Sequence, residues 1–308
     1  DRPVNLFYGM RYEKTEVHSE ALVPLYDRVE WSILDNRFNL YQQQDEDGNT
    51  IRGFSEIDGS YSMFLPSLDF DMEVLDDVIL RASYSLTVTR PVYNDLKGAL
   101  IIDYLGADGG GGRRGNPQLL PMEATNLDLS LEWYYAEGSY VSAGLWSKDV
   151  DNFIISATFE DQPLFKNLYT PIEGDLYNQA IDDLTGGDPR FDYDAGDLNE
   201  YYAENYVGQP GVELSGQGDE VEVTQTGLEG DPVAIFDVTI PINQRETNVK
   251  GLELMAQHTF GESGFGFQAN YTVVNGNLEY DINLNEEQWV VPGMSDTANL
   301  VAFYDKGG

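Results

Sequence analysis

The sequence contains no cysteine, which removes disulfides, thiolate nucleophiles and cysteine metal centres together. It says little about compartment, because oxidising compartments do not require disulfides. Nowhere does the chain hold the roughly 18 consecutive apolar residues that a transmembrane helix needs. Bases are scarce: 17 Lys and Arg face 54 Asp and Glu, a formal net charge of -37. Such a field repels nucleic acid and anionic surfaces, and attracts divalent cations and cationic solutes. Nucleic-acid binding is excluded as a function class. There are only 2 histidines, His18 near a strand exit and His258 on an apolar strand face, where an interfacial ring is a better reading than a ligand or a base. No Ser-His-Asp spacing, phosphate-loop motif or zinc motif is present. No bond-making chemistry, cofactor or metal site is expected.

What is abundant points to strands. Aromatic residues make up 12% of the chain, with 20 Tyr and 14 Phe, and there are 31 Gly, a composition that suits pleated, half-exposed surfaces. Helical signals are poor. The mean hydropathy of -0.38 does not count against a membrane barrel, whose strands alternate and whose lumen face and loops are polar.

Period-two alternation recurs in eight segments. From Asn126 to Tyr135, one face carries Leu127, Leu129, Leu131, Trp133 and Tyr135 and the other Asn126, Asp128, Ser130, Glu132 and Tyr134. The same grammar runs through Leu6 to Glu13, Ser67 to Val74, Val78 to Thr87, Tyr140 to Lys148, Leu252 to Phe260, Phe265 to Val273 and Ala298 to Tyr304. Leu75-Asp76-Asp77, Ala136-Glu137-Gly138-Ser139 and Gly261 to Gly264 are tight turns. The connections between them are long, at about residues 22–59, 91–121, 156–246 and 278–295. Loops of that length are unusual in compact domains. Short turns alternating with long loops are the outer-membrane pattern, with turns at the periplasm and loops outside. Aromatics gather where strands meet turns, as a bilayer interface requires. A soluble β-sandwich also alternates, and stays open on alternation alone.

The residues then show a family likeness. Ser60 to Leu96, with Leu-Pro-Ser ahead of Arg-Pro, resembles the barrel of TonB-dependent receptors. So does Gly115 to Ile154, with GNP-x-L-x-P entering a hairpin that ends in Lys-Asp-x-x-Asn-Phe-Ile. Asn248 to Gly276 and Pro292 to Gly308 are similar to the closing strands of such barrels. The likeness is weakest from Phe159 to Ile242. It is nearest to a proteobacterial branch often linked to oligosaccharide uptake.

The resemblance implies an all-β transmembrane antiparallel barrel of about 22 strands in the outer membrane of a Gram-negative bacterium. Residues 1–308 would supply about eight of those strands. It implies an N-terminal plug that pairs with the TonB complex, outer-membrane lipid around the wall, and a small-molecule or oligosaccharide ligand; iron chelates, cobalamin and peptides compete as solutes. Plug, TonB box and last strands are not found in this chain, and Lys306-Gly307-Gly308 reads as a turn without its second strand, so a fragment is expected. A secreted carbohydrate-binding β-sandwich is the rival outside the class.

Candidate ligand contacts fall on loop aromatics, because sugar rings stack on flat side chains: Trp31, Tyr104, Tyr169, Tyr177, Tyr193, Tyr201, Tyr202, Tyr206 and Trp289. Arg113 and Arg114 suit an anionic group. Gly-Ala-Asp-Gly-Gly-Gly-Gly-Arg-Arg (Gly106 to Arg114) reads as a flexible loop rather than a phosphate cradle. Asp45-Glu46-Asp47-Gly48-Asn49 reads as a plain turn, since no Glu stands at the twelfth position of a calcium loop. The acids of the third loop, among them Asp182, Asp183, Asp188, Asp192, Asp194 and Asp197, read as a solvated surface, with calcium binding as the minority reading.

Overall fold

The computed structural model describes residues 2–188, 193–215, 221–276 and 295–305. In chain order the strands are β1 (Val4–Pro24), β2 (Tyr26–Ser32), β3 (Arg37–Gln42), β4 (Arg52–Leu75), β5 (Val78–Thr89), β6 (Ile101–Gly106), β7 (Gly109–Arg113), β8 (Met122–Ala136) and β9 (Ser139–Gln162). Helices α1 (Asp175–Thr185) and α2 (Ala195–Asn205) follow, then β10 (Val212–Leu214), β11 (Val223–Thr226), β12 (Phe236–Thr259), β13 (Phe265–Gly276) and β14 (Thr297–Tyr304).

All eight alternating segments lie in one antiparallel meander, β1-β4-β5-β8-β9-β12-β13-β14. Its register aligns like with like. Ala82 stands opposite Leu129, Leu129 opposite Leu145, Leu145 opposite Leu252, Leu252 opposite Val273, and Ala269 opposite Leu300. On the reverse face Asp71 meets Arg81, Ser83 meets Asp128, Glu132 meets Ser142, and Asn270 meets Asn299. A one-residue slip in any pair would exchange the faces, so the apolar band itself sets the register. On β8 the band runs from Leu127 to Tyr135, about 26 Å of strand, on the scale of the roughly 25 Å apolar belt of a membrane barrel.

The band is not covered by protein. Leu129 is 47% exposed, Leu145 56% and Leu300 76%. A β-sandwich would lay a second sheet about 10 Å above such a face; none of the described residues does so. The turn end of the band carries a row of rings: Trp133 against Tyr135 at 5.3 Å, Tyr135 stacked on His258 at 5.9 Å, His258 against Phe260 at 4.7 Å, and Phe265 against Tyr304 at 4.6 Å. The Tyr135 hydroxyl meets His258 Nδ1 at 3.1 Å. His258 is therefore one ring of an interfacial girdle.

The strands run much farther than the alternation predicts. β4, β9 and β12 each span 24 residues, whereas a tilted crossing takes about 9–11. Their outer halves stand beyond the apolar band. The first long connection is thereby shortened to residues 25–51 and the third to 163–235, and His18 lies within β1, paired with Asp58 at 2.7 Å. The outer halves of β9 and β12 bury Ile155, Ala157, Phe236 and Val238, whereas that of β1 carries no apolar contrast between its two faces. Most of the fourth connection lies outside the described residues. In β4, Pro66 lacks the N–H a ladder needs, and the β4–β5 pairing stops beside it at Ser67 opposite Ser85.

Candidate functional site

The described parts of the first three long connections lie at the end of the strands away from the tight turns, and the first and third fold there into a structured cap. Residues from the first and third connections build a second sheet, β10-β11-β2-β3, with α1 and α2 packed against it. The chain is mostly β, as expected, and the two short helices lie within the third connection. The helical spacing is visible in retrospect: Leu176, Tyr177, Ala180, Ile181 and Leu184 fall on one side of α1, and Leu198, Tyr201, Tyr202 and Tyr206 on one side of α2 and its C-cap. Asp194 caps α2 through the Asp197 N–H at 2.9 Å, and Asp197 accepts from the Asp194 N–H at 3.2 Å. That reciprocal pair is a capping box built from two acids.

One core holds Trp31, Ile33, Ala180, Leu198, Tyr202, Tyr206, Val212 and Val223; a neighbouring one holds Val29, Leu168, Ala234, Phe236 and Val238 and joins the cap to the outer half of β12. The Trp31 ring lies 6.1 Å from Phe38, 5.8 Å from Tyr177 and 6.3 Å from Tyr202. The Tyr202 hydroxyl donates to Gln225 at 2.8 Å. Those of Tyr201 and Tyr206 donate to Asp183 at 3.2 and 3.4 Å.

Burial, before any other cause, pushes the Tyr177 and Tyr206 hydroxyls up to about 12 and raises that of Tyr202 as well. A phenol whose folded pKa exceeds its unfolded value of about 10 stabilises the fold fully below that value, and loses the contribution as pH rises through the folded one. The cap is therefore expected to loosen between pH about 10 and about 12, followed by near-ultraviolet circular dichroism. Tyrosines that ionise freely at pH 10 would contradict their burial.

The second connection is a strut. It leaves β5 at Arg90, whose guanidinium pairs with Glu13 on the polar face of β1. At Gly59 of β4 a Cβ would overlap the Pro117 carbonyl oxygen. Glycine is the residue that lets the backbones meet there. The far end is tied to β12, where Asn243 Oδ1 accepts from the Leu120 N–H at 2.8 Å, Asn243 Nδ2 donates to the Leu120 carbonyl at 2.9 Å, and Asn116 Nδ2 donates to the Pro241 carbonyl at 3.2 Å. The Gly-Asn-Pro motif thus pins this connection between β4 and β12.

The glycine run is not a flexible loop, as expected from its composition, but strand β7, paired with β6 and, in parallel, with Phe236 to Thr239 of β12. A Cβ on Gly110 would enter the Phe236 ring, and one on Gly111 the Tyr104 ring. The glycines serve close packing rather than freedom. The Asp45 turn holds as read: its Oδ1 accepts from the backbone N–H of Asp47 at 3.0 Å and of Asn49 at 2.8 Å. The Asn49 N–H, ahead of its amide, keeps that carboxyl below the usual range. Among the described residues, no group of three or more His, Asp or Glu could hold a metal ion.

The ligand candidates separate. Trp31, Tyr202 and Tyr206 are 3%, 0% and 5% exposed, and their ring faces are taken by one another and by Tyr177. Tyr177, Tyr193 and Tyr201 are half-buried against the same core. Tyr169 is half-buried and bridges Val233. Tyr104 is 62% exposed, beside β7. Arg113 pairs with Asp103 at 2.6 Å; Arg114 is exposed and donates its backbone N–H to Thr239 at 3.2 Å. Trp289 lies outside the described residues. Sequence reading missed Tyr41, which carries Arg28 over its ring at 4.2 Å and donates to Glu30 at 2.8 Å.

No curated protein matches the sequence. The chain is similar to the siderophore receptor PirA of Acinetobacter baumannii, at 13% identity and TM-score 0.46 over 96% of this chain and 31% of that one. It is also similar to the hemophore receptor HasR of Serratia marcescens, solved as a double mutant with its hemophore HasA and heme, at 13% identity and TM-score 0.43 over 88% and 31%. The ferric enterobactin receptor PfeA of Pseudomonas aeruginosa gives 15% identity and TM-score 0.39 over 77% and 25%. The chain spans between 25% and 31% of these three structures. The model of the TonB-dependent receptor-like β-barrel family matches residues 1–301. With an apolar belt, an aromatic girdle at the turns and long connections gathered at the other end, this chain belongs to the TonB-dependent receptor β-barrel family.

Proposed function

We propose that this chain forms wall and outer cap of a receptor for TonB-energised uptake of a large solute across the outer membrane, working with a plug domain and the TonB complex. The observation that carries the reading is a single sheet with an uncovered apolar belt on one face, a polar opposite face, and a cored cap at the far end. Such a wall makes and breaks no bond. It holds the cap in place and lines a path.

The solute is neutral or cationic, because Lys166 and Arg190 are the only bases between Pro163 and Ile235, a stretch rich in Asp and Glu, and an anion would meet that field unfavourably. An oligosaccharide is the first reading, with Tyr104 as the exposed ring. A ferric chelate of neutral or positive charge is the second, favoured by the burial of Trp31, Tyr202 and Tyr206, which withdraws flat stacking faces.

Full-length receptor is expected to resist salt and carbonate washing and to leave the membrane only in detergent. Solute uptake should stop in cells lacking TonB while surface binding persists. Release by salt alone would contradict the wall; uptake that ignores TonB would contradict the energy coupling.

A further inference from the structure

One cavity in the cap is lined differently from the rest of the acidic surface. It has a volume of about 310 Å³ and lies between the β6–β7 turn, Leu105 to Gly109, and two segments of the third connection, residues 170–173 and 232–235. Leu105, Ile172, Val233 and Ile235 are its apolar lining residues; Asp108 of the β6–β7 turn and Glu173 of the third connection are its acidic ones. Both carboxylates belong to exposed residues, and among the described residues neither forms an ion pair or a side-chain hydrogen bond. Among the described residues, no Lys or Arg lines the cavity.

Its walls are fixed by backbone. The Gly110 N–H donates to Ile235 at 2.8 Å, the Thr170 N–H donates to Pro232 at 2.8 Å, and Tyr169 bridges Val233. Glu173 is held at φ 59°, in the left-handed region. An apolar lining with two acidic residues, one from each of two segments and neither ion-paired, matches a small body with a positive end.

We propose that this cavity binds an organic ammonium, either free or as the charged end of a larger solute, with Asp108 and Glu173 taking the cation and Leu105, Ile172, Val233 and Ile235 the carbon body. The proposal rests on the reading of the cap as a solute-capture surface and names the chemistry it takes. A sugar without an amine would leave both carboxylates uncompensated.

The test titrates full-length receptor in detergent with 2-phenylethylammonium and with its neutral counterpart 2-phenylethanol, by calorimetry. The ammonium should bind more tightly than the alcohol by about tenfold, the worth of two partly exposed charge contacts. Asp108→Asn with Glu173→Gln should erase that preference, and Ala107→Trp, at an exposed lining residue, should block both probes. Equal binding of the two probes, or a preference that survives the double substitution, would overturn the proposal. Uptake assays keep the two readings apart. TonB-dependent uptake in a receptor that ignores the ammonium removes the cavity and leaves the transporter. Ammonium binding in a receptor whose uptake ignores TonB does the reverse.

Discussion

Leu129→Arg is expected to destabilise the wall by about 2 to 4 kcal/mol, measured as folding free energy of the full-length receptor in lipid vesicles. Leu129 sits between Ala82 on β5 and Leu145 on β9, in the middle of the apolar band. A guanidinium there must shed water into hydrocarbon or drag water inward, and both routes cost free energy. Arginine at Ser130, one residue along, points to the polar face between Arg81 and Gly144, where water or protein groups solvate it. That variant should cost no more than about 1 kcal/mol, the scale of a like-charge cross-strand pair with Arg81. The contrast between neighbours matters more than either number. If Ser130→Arg were the costly change and Leu129→Arg the neutral one, the faces would be reversed.

Trp31→Ala carries the largest effect expected in the cap, about 3 to 5 kcal/mol, the usual cost of emptying a large aromatic from a core. Its ring touches Phe38 from its own hairpin, Tyr177 on α1 and Tyr202 on α2. Among the described residues, no other side chain meets strands of the first connection and both helices of the third through ring contacts. Losing it should detach the helices from the β2–β3 hairpin while the membrane belt, which shares none of these contacts, stays intact. Hydrogen exchange would show residues 175–205 losing protection and residues 126–145 keeping it. Equal loss in both regions would mean that cap and wall fold as one unit; no loss would mean that the ring does not hold the cap. Because Tyr177, Tyr202 and Tyr206 also owe their raised pKa values to this burial, the same variant should shift their ionisation back toward about 10.

The sequence could be read where one face meets lipid and the other water. From Asn126 to Leu145 that contrast repeats at every second residue, and both strands and the turn at Glu137-Gly138 fall where the alternation puts them. On the outer half of β1 the contrast disappears. Val17, Ser19 and Ala21 are half-buried on one face of β1, opposite Gly59, Ile57 and Ser55 of β4, yet the intervening His18 and Glu20 are no more polar than a loop would be. Strand and loop are indistinguishable there without the partner strand.

The helices leave only a faint trace in the sequence. Leu198, Tyr201 and Tyr202 recur at helical spacing behind an acidic cap, but within a run of acids that reads as a solvated surface. The ring candidates show a different limit. Nothing local distinguishes Trp31, sealed in a core, from Tyr104, open to solvent. That difference arises when the first and third connections, far apart in sequence, pack together. The glycine run shows the same dependence on distant partners, since its reason is the space occupied by Phe236 and Tyr104.

The absence of cysteine makes the decisive measurement clean. Single cysteines placed in turn from Asn126 to Tyr135 and spin-labelled in lipid should give an oxygen-accessibility profile of period two. Labels at 127, 129, 131 and 133 should be open to lipid-dissolved oxygen, and those at 128, 130 and 132 open to a water-soluble relaxing agent. A profile without alternation, or with the water-soluble agent reaching every position, would contradict a membrane wall and restore a soluble sheet.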